Sequence, residues 1–162
     1  MSGFAVRPAR EGDLEAIGRL GALLLRAHHR FDANRFMAPG ADPEGGYAWF
    51  LGTQLYENDV LLLVAEADGG EVAGYLYAAV EPLSWKELRD EAGFVHDVVV
   101  DERFRGRGIA AALVEHAASW FRDRGMPRVL LWTAEHNPAA QRLFARLGFR
   151  RTMVEMTREL GG

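Results

Sequence analysis

Apolar positions along this chain follow two different periods, and the switches between them predict its elements. Residues 4–7 read as a short first strand closed by Pro8. Leu14, Ile17, Leu20, Leu24 and Leu25 then recur at helical spacing behind Asp13, a cap or first-turn acid, and predict a helix to about His28. Residues 29–43 are mixed, with Pro39-Gly40 and Asp42-Pro43 as breakers. Tyr47, Phe50, Leu51 and Leu55 predict a second helix that ends near Glu57-Asn58-Asp59. Two nearly continuous apolar runs, 60–66 and 71–80, flank Asp68-Gly69-Gly70 and predict a β-hairpin. Residues 82–92 are polar apart from Leu83, Trp85 and Leu88, which suits a loop or a short helix, and residues 94–100 form the central strand.

Helical spacing returns with Ile109, Leu113, Ala117 and Phe121 on one face and Ala110 and Val114 beside them, until Gly125-Met126-Pro127. Residues 129–133 are the next buried strand. Asn137 caps a further helix, Pro138 takes its first position, Ala140, Leu143, Phe144 and Leu147 line its apolar face, and Gly148 stops it. Residues 149–160 are expected to form one or two final strands. The order β-α-α-β-β-β-α-β-α-β(-β) fits an α/β sandwich, and no linker or composition shift divides residues 1–162, so one domain is expected.

Charge and composition narrow the function. A net charge of −4 argues against a broad nucleic-acid surface, and the positive charge that stands out is local: Arg103, Arg105 and Arg107. The absence of cysteine excludes a disulfide framework and a cysteine nucleophile. No signal peptide and no membrane-spanning run is recognisable, so a cytoplasmic protein with no membrane partner is expected. No metal site is suggested.

The local charge coincides with the most informative stretch. Val98, Val99 and Val100 end a strand, and Arg103-Phe104-Arg105-Gly106-Arg107-Gly108 runs directly into the next helix. A glycine-rich loop at a helix start gathers unpaired N–H groups around one point, which favours an anion such as a phosphate. A sharp strand-to-helix turn with exposed arginines is the alternative that the loop alone leaves open.

The spacing in that loop resembles the R/Q-x-x-G-x-G/A acetyl-coenzyme A loop of the GNAT (Gcn5-related N-acetyltransferase) superfamily, and residues 137–149, from Asn137 to Gly148-Phe149, resemble the same family's N-x-x-A…G-F segment. The resemblance implies a mixed, mostly antiparallel central sheet flanked by helices, with two splayed parallel strands at the cofactor cleft. It implies acetyl-coenzyme A as cofactor. Main-chain groups of Val98, Val99 and Val100 would meet its pantetheine arm, and Arg103, Arg105, Gly106, Arg107, Gly108, Ile109 and Ala110 its pyrophosphate. Asn137, Ala140 and Phe144 would lie along it. The implied reaction moves an acetyl group to a primary amine, on a small molecule or a peptide, by direct attack in a ternary complex. No nucleic-acid partner is implied, and monomer and homodimer both stay open.

Direct transfer needs a neutral amine, yet an alkylamine with a pKa of about 10 is almost wholly protonated at pH 7. Candidate bases are His96 and Asp97, with Glu81 third and Glu135 and His136 as a further pair. Strand alternation predicts that His96 and Asp97 point to opposite faces. The N–H of Val98 is the expected oxyanion donor. Phe144 stands where many relatives carry a tyrosine that protonates the departing sulfur; water, Tyr75 or Tyr77 would have to assist, or the chain binds acyl-coenzyme A without turnover, as a sensor or partner-binding module. His29, Arg30, Phe31, Arg35, Phe36 and Trp85 are candidates to line the acceptor pocket. A nucleotide-binding domain is the weaker alternative, since the loop lacks both G-x-x-x-x-G-K-[ST] and G-x-G-x-x-G.

Overall fold

The near-continuous apolar runs in the middle of the chain form strands that are covered on both faces, which removes the need for polar alternation. The computed structural model describes residues 3–161; residues 1, 2 and 162 of the expected domain lie outside that range. Its elements are β1 (Phe4–Pro8), α1 (Leu14–Phe31), α2 (Pro43–Gln54), β2 (Val60–Ala67), β3 (Val72–Glu81), β4 (Ala92–Val100), α3 (Ile109–Asp123), β5 (Val129–Leu131) and α4 (Pro138–Arg146). The five strands make one sheet in the order β1-β2-β3-β4-β5. All neighbours are antiparallel except β4 and β5, which are parallel.

Each face of the sheet has its own core. Leu61, Leu63, Leu76, Ala78 and Val95 meet Ile109, Leu113, Ala117 and Phe121 of α3. On the opposite face Leu62, Val64, Tyr75, Tyr77 and Val99 meet Ile17 and Leu20 of α1 and Leu51 of α2. Helices α1 and α2 pack closely because two glycines permit it. A Cβ on Gly18 would lie 2.5 Å from the Glu44 carbonyl oxygen, and one on Gly21 would lie 2.4 Å from the Tyr47 ring.

Besides β5, which is half-buried and ends at Leu131 instead of residue 133, three expectations change. Asp42-Pro43 opens α2 instead of breaking the chain: the Asp42 carboxylate accepts the Gly45 N–H at 3.0 Å and Pro43 fills the first helical position. The helix therefore starts four residues before its first apolar landmark, Tyr47, and α1 continues past His28 to Phe31. The third change is larger. Residues 149–160 contain no strand, and residues 150–161 are exposed along their whole length. Strand propensity is realised only against a neighbouring strand. Here Arg35 draws Glu155 into a two-pronged ion pair, with Nη2 to Oε2 at 2.9 Å, that fixes the tail beside the α1–α2 connection. Among the described residues no helix is long and apolar enough to cross a membrane.

Candidate functional site

The site begins with a one-residue irregularity in β4. Ala78 pairs with Val95 and Tyr77 with Asp97, so His96 is an extra residue opposite no partner, a β-bulge. The bulge overturns the alternation expected for His96 and Asp97. His96 stacks on Phe94 with ring centroids 4.6 Å apart and lies 5.1 Å from the Tyr77 ring, while Asp97 accepts the Tyr75 hydroxyl at 2.9 Å. Both side chains thus lie on the α1–α2 face.

The bulge also reverses which main-chain groups point toward β5. Before it, the Gly93 N–H donates to the Arg128 carbonyl at 3.1 Å, so odd-numbered residues of β4 face β5. Beyond it, the Asp101 N–H donates to Ala73 at 2.8 Å, and alternation from there turns Asp97 and Val99 toward β3. Val98 and Val100 therefore present their N–H and C=O groups away from β3. Pairing with β5 stops at Val95–Leu131, so these groups open into a gap. The Val100 carbonyl accepts Arg105 Nε at 3.3 Å, which places Arg105 at the mouth of that gap.

The loop that follows is shaped by its own side chains. Asp101 accepts the Arg103 N–H at 2.9 Å and sets a short 3-10 turn over Glu102–Phe104. Gly106 and Gly108 then adopt φ of +78° and +81°, the left-handed region that favours glycine. A Cβ at either position would meet nothing within 4 Å, so backbone conformation, not crowding within the chain, calls for glycine here. Among the described residues, the main-chain N–H groups of residues 106–111 have no acceptor in the chain, and α3 makes its first bond from the Ala112 N–H to the Gly108 carbonyl. A loop with free donors at a helix start, beside an unpaired strand edge, fits the diphosphate and amide-bearing arm of coenzyme A.

The three loop arginines differ. Arg103 is tied to Asp101 and to Glu71, with Nη2 2.5 Å from Glu71 Oε1, so its charge is neutralised by the chain itself. Arg107 lies over the Phe104 ring, 5.2 Å from its centroid, and among the described residues neither it nor Arg105 forms a salt bridge with a carboxylate. Asn137 caps α4 through Oδ1 to the Ala140 N–H at 3.2 Å, and Gln141 holds the preceding turn by donating to the Ala134 carbonyl at 2.8 Å. Phe144 packs on Phe149 at 5.9 Å and offers no proton.

His96 Nε2 lies 2.8 Å from Glu81 Oε1, both side chains being 32% exposed. If Nε2 carries the proton, Glu81 holds the ring and Nδ1 is left as the acceptor. Asp97 has a different environment. Burial pushes its carboxyl above the usual carboxylate range, partly offset by the Tyr75 hydroxyl and by the charges of His96 and His28. Burial drives the Tyr75 hydroxyl well up as well, and the Tyr77 hydroxyl donates to Gln54 Oε1 at 3.1 Å. Tyr75 is thereby committed to Asp97 within the core. Glu135 and His136 lie on the exposed turn before α4, where Glu135 Oε2 is 4.0 Å from Arg151 Nη2.

Next to Glu81 and Tyr77 opens a groove of about 450 Å³, lined also by Gln54, Glu57, Asn58 and Asp59. The helical pattern marks 57–59 only as the end of a helix; the Glu57 and Asp59 carboxylates are the signal the sequence offers for the groove. Of the expected acceptor-lining residues, His29 bonds the Phe36 carbonyl through Nδ1 at 3.2 Å, Arg35 holds Glu155, and Arg30 is exposed. His28, between Phe31 and Phe36, joins that aromatic cluster. Trp85 is 86% exposed and is not among the residues that line this groove.

The chain is 35% identical over 160 residues to a mycothiol acetyltransferase of Cellulomonas flavigena, covering 95% of this chain and 42% of that protein. It is 33% identical over 101 residues to an uncharacterized N-acetyltransferase of Methanocaldococcus jannaschii, covering 62% and 44%. A streptothricin acetyltransferase of Streptomyces lavendulae is 29% identical, with 91% and 82% covered. The chain thus spans less than half the length of the first two of these relatives. In fold it is similar to the crystal structure of a mutant Bacillus halodurans protein, with a TM-score of 0.81, 22% identity and coverage of 96% and 99%. It is similar also to an aminoglycoside N-acetyltransferase in complex with coenzyme A, with a TM-score of 0.73, 21% identity and coverage of 98% and 95%. The sequence profile of the Acetyltransferase (GNAT) family matches residues 25–149, a span that holds the bulged strand, the loop and α4 together, and the chain belongs to that family.

Proposed function

We propose that the chain transfers an acetyl group from acetyl-coenzyme A to a primary amine by direct attack in a ternary complex. The observation that carries this reading is the convergence, on one stretch of β4, of main-chain donors without partners and a histidine held by a carboxylate. The thioester supplies an acyl group already activated toward nitrogen. The N–H groups of residues 106–111, with Arg105 and Arg107, would bind its diphosphate, and the main chain of Val98 and Val100 its amide-bearing arm. The Val98 N–H offers a donor where negative charge develops on the acyl oxygen. His96 Nδ1 takes the proton of the ammonium, directly or through water, and the Glu81 carboxylate 2.8 Å away steadies the imidazolium. With no cysteine in the chain, a cysteinyl acyl-enzyme is excluded.

Asp97 is the weaker base, being enclosed and bonded to Tyr75. No tyrosine replaces Phe144 as an acid, but a thiol titrates near 8.5 by analogy with cysteine, so the sulfur leaves as a tolerable anion. Glu57, Asp59 and Glu81 around the groove favour a cationic amine. Relatives named for mycothiol, streptothricin and aminoglycosides favour a small-molecule acceptor.

The test is a thiol-release assay over a panel of amines. At least one amine is expected to turn over, and His96→Ala is expected to lower kcat by about 10²–10³-fold while coenzyme A affinity is unchanged by calorimetry. Phe144 favours a second reading, a non-catalytic acyl-coenzyme A sensor. Binding of coenzyme A with no turnover of any amine would select it.

A further inference from the structure

Charge is divided unevenly along this chain. Residues 1–100 carry eight cations against sixteen carboxylates, a net charge of −8, and residues 101–162 carry eleven arginines against seven carboxylates, a net charge of +4. The overall −4 therefore conceals a basic part, and that part holds the loop, α3 and α4. The loop accounts for only three of its arginines.

Helix α4 adds a second set. Phe144 and Leu147 pack against the core that α3 covers, so Arg142 and Arg146, one turn apart, lie on the outward side, and Arg150 follows just beyond Gly148. All three are exposed, and among the described residues none has a carboxylate partner. Other arginines of this part are paired: Arg103 with Glu71 and Asp101, Arg124 with Asp59, and Arg151 with Glu135 at 4.0 Å. Helix α4 contains no acid of its own, and like charges four residues apart on a helix repel. Phe104 of the loop packs against the same core as Phe144 and Phe149, which sets the loop and α4 on one face of the sheet. Among the described residues of 101–150, Glu102, Glu115 and Asp123 are the carboxylates without an arginine partner, and Asp123 ends α3, away from the loop.

Coenzyme A does not use up this charge. Its diphosphate is met by the loop N–H groups with Arg105 and Arg107, and it offers one further phosphate, on the ribose, to the three arginines that remain. The β4–β5 gap, for its part, takes only the thin amide-bearing arm. That arm is not peculiar to coenzyme A. Joined through a phosphodiester to the serine of a carrier protein, it is chemically the same and ends in the same thioester.

We propose that Arg105, Arg107, Arg142, Arg146 and Arg150 form a docking surface for a small acidic carrier protein, whose phosphopantetheine arm delivers the acyl group through the β4–β5 gap. The proposal rests on the acetyl-transfer reading of that gap and names a second donor for it. The thioester C–S bond breaks and a C–N bond forms. Of the two protons that the ammonium gives up, one ends on the carrier's sulfur and one leaves through His96 to water.

The probe is an acidic acyl carrier protein in its holo form, its arm acetylated, presented to the full chain in parallel with acetyl-coenzyme A. Calorimetry at low salt is expected to record binding at tens of micromolar or tighter, weakened by added salt and by removal of the arm. The acetylated carrier is expected to serve any amine that acetyl-coenzyme A serves. The pair Arg142→Glu and Arg146→Glu, at exposed positions, is expected to lower kcat/KM for the carrier by at least about tenfold. The value for acetyl-coenzyme A and the circular dichroism are expected to stay unchanged. No binding of the holo carrier at tens of micromolar overturns the proposal, as does a carrier that binds but donates to no amine that acetyl-coenzyme A acetylates. An equal loss with both donors overturns it by assigning the α4 arginines to the nucleotide. An RNA oligonucleotide bound as tightly as the holo carrier overturns it by assigning them to nucleic acid. If acetyl-coenzyme A acetylates no amine, the acetyl-transfer reading fails, while calorimetry on the charge-reversed pair still decides the docking surface.

Discussion

Asp97 and His96 sit side by side on the bulged strand, and burial separates their chemistry. Desolvation raises the Asp97 carboxyl, so the native state binds its proton more tightly than the unfolded chain. Stability associated with this group is therefore greatest below the unfolded value of about 3.9 and declines as pH rises through the higher folded value. Asp97→Asn keeps an oxygen acceptor for the Tyr75 hydroxyl and carries no charge. It should be at least as stable as the parent at pH 7 in urea unfolding and lose its advantage near pH 4. Asp97→Ala leaves that hydroxyl without its acceptor and should cost about 1–3 kcal/mol. At Gly106 the expectation concerns binding. With φ at +78°, Gly106→Val is strained and directs a branched side chain into the space where a diphosphate would lie. Calorimetry should record loss of coenzyme A binding with at most a modest drop in Tm; unchanged affinity would remove the loop from the site. Gly106 and Gly108 were legible as residues because the strand-to-helix turn demands their conformation. The shared face of His96 and Asp97 was not, because a bulge depends on the register of β3, which no local pattern encodes.

Helix starts were read from caps, with unequal success. Asn137-Pro138 was recognised as the opening of α4, whereas the same logic at Asp42-Pro43 was missed because Gly45 and Gly46 dilute the apolar pattern that follows. The first helix is anchored differently. Arg7 on β1 makes paired bonds of 2.8 and 2.9 Å to Asp13, which also accepts the Arg10 N–H at 2.8 Å. The Arg7 guanidinium holds the Asp13 carboxyl below its ordinary value. This contribution is present above the unfolded value of about 3.9 and is lost as pH falls through the depressed folded one. Asp13→Asn should cost about 1–3 kcal/mol at pH 7, and its difference from the parent should shrink in acid. A difference that stays constant from pH 7 to pH 3 would mean that packing, not charge, holds β1 to α1. The tail is the opposite case: a segment with strand composition remains outside the sheet because composition does not provide a neighbour.

At the scale of the molecule, the decisive feature is where β4 and β5 part. Their pairing ends after three residues, while β4 continues to Val100 with α1 and α2 on one side and α3 on the other. The opening is thus set by strand length and held by the two cores. Solvent accordingly reaches into the centre of the sheet along a line of amides that most sheets keep sealed. In hydrogen–deuterium exchange Val98 and Val100 should label within the time of loop residues while Val99, bonded to β3, stays protected, and saturating coenzyme A should slow Val98 and Val100 alone in that strand.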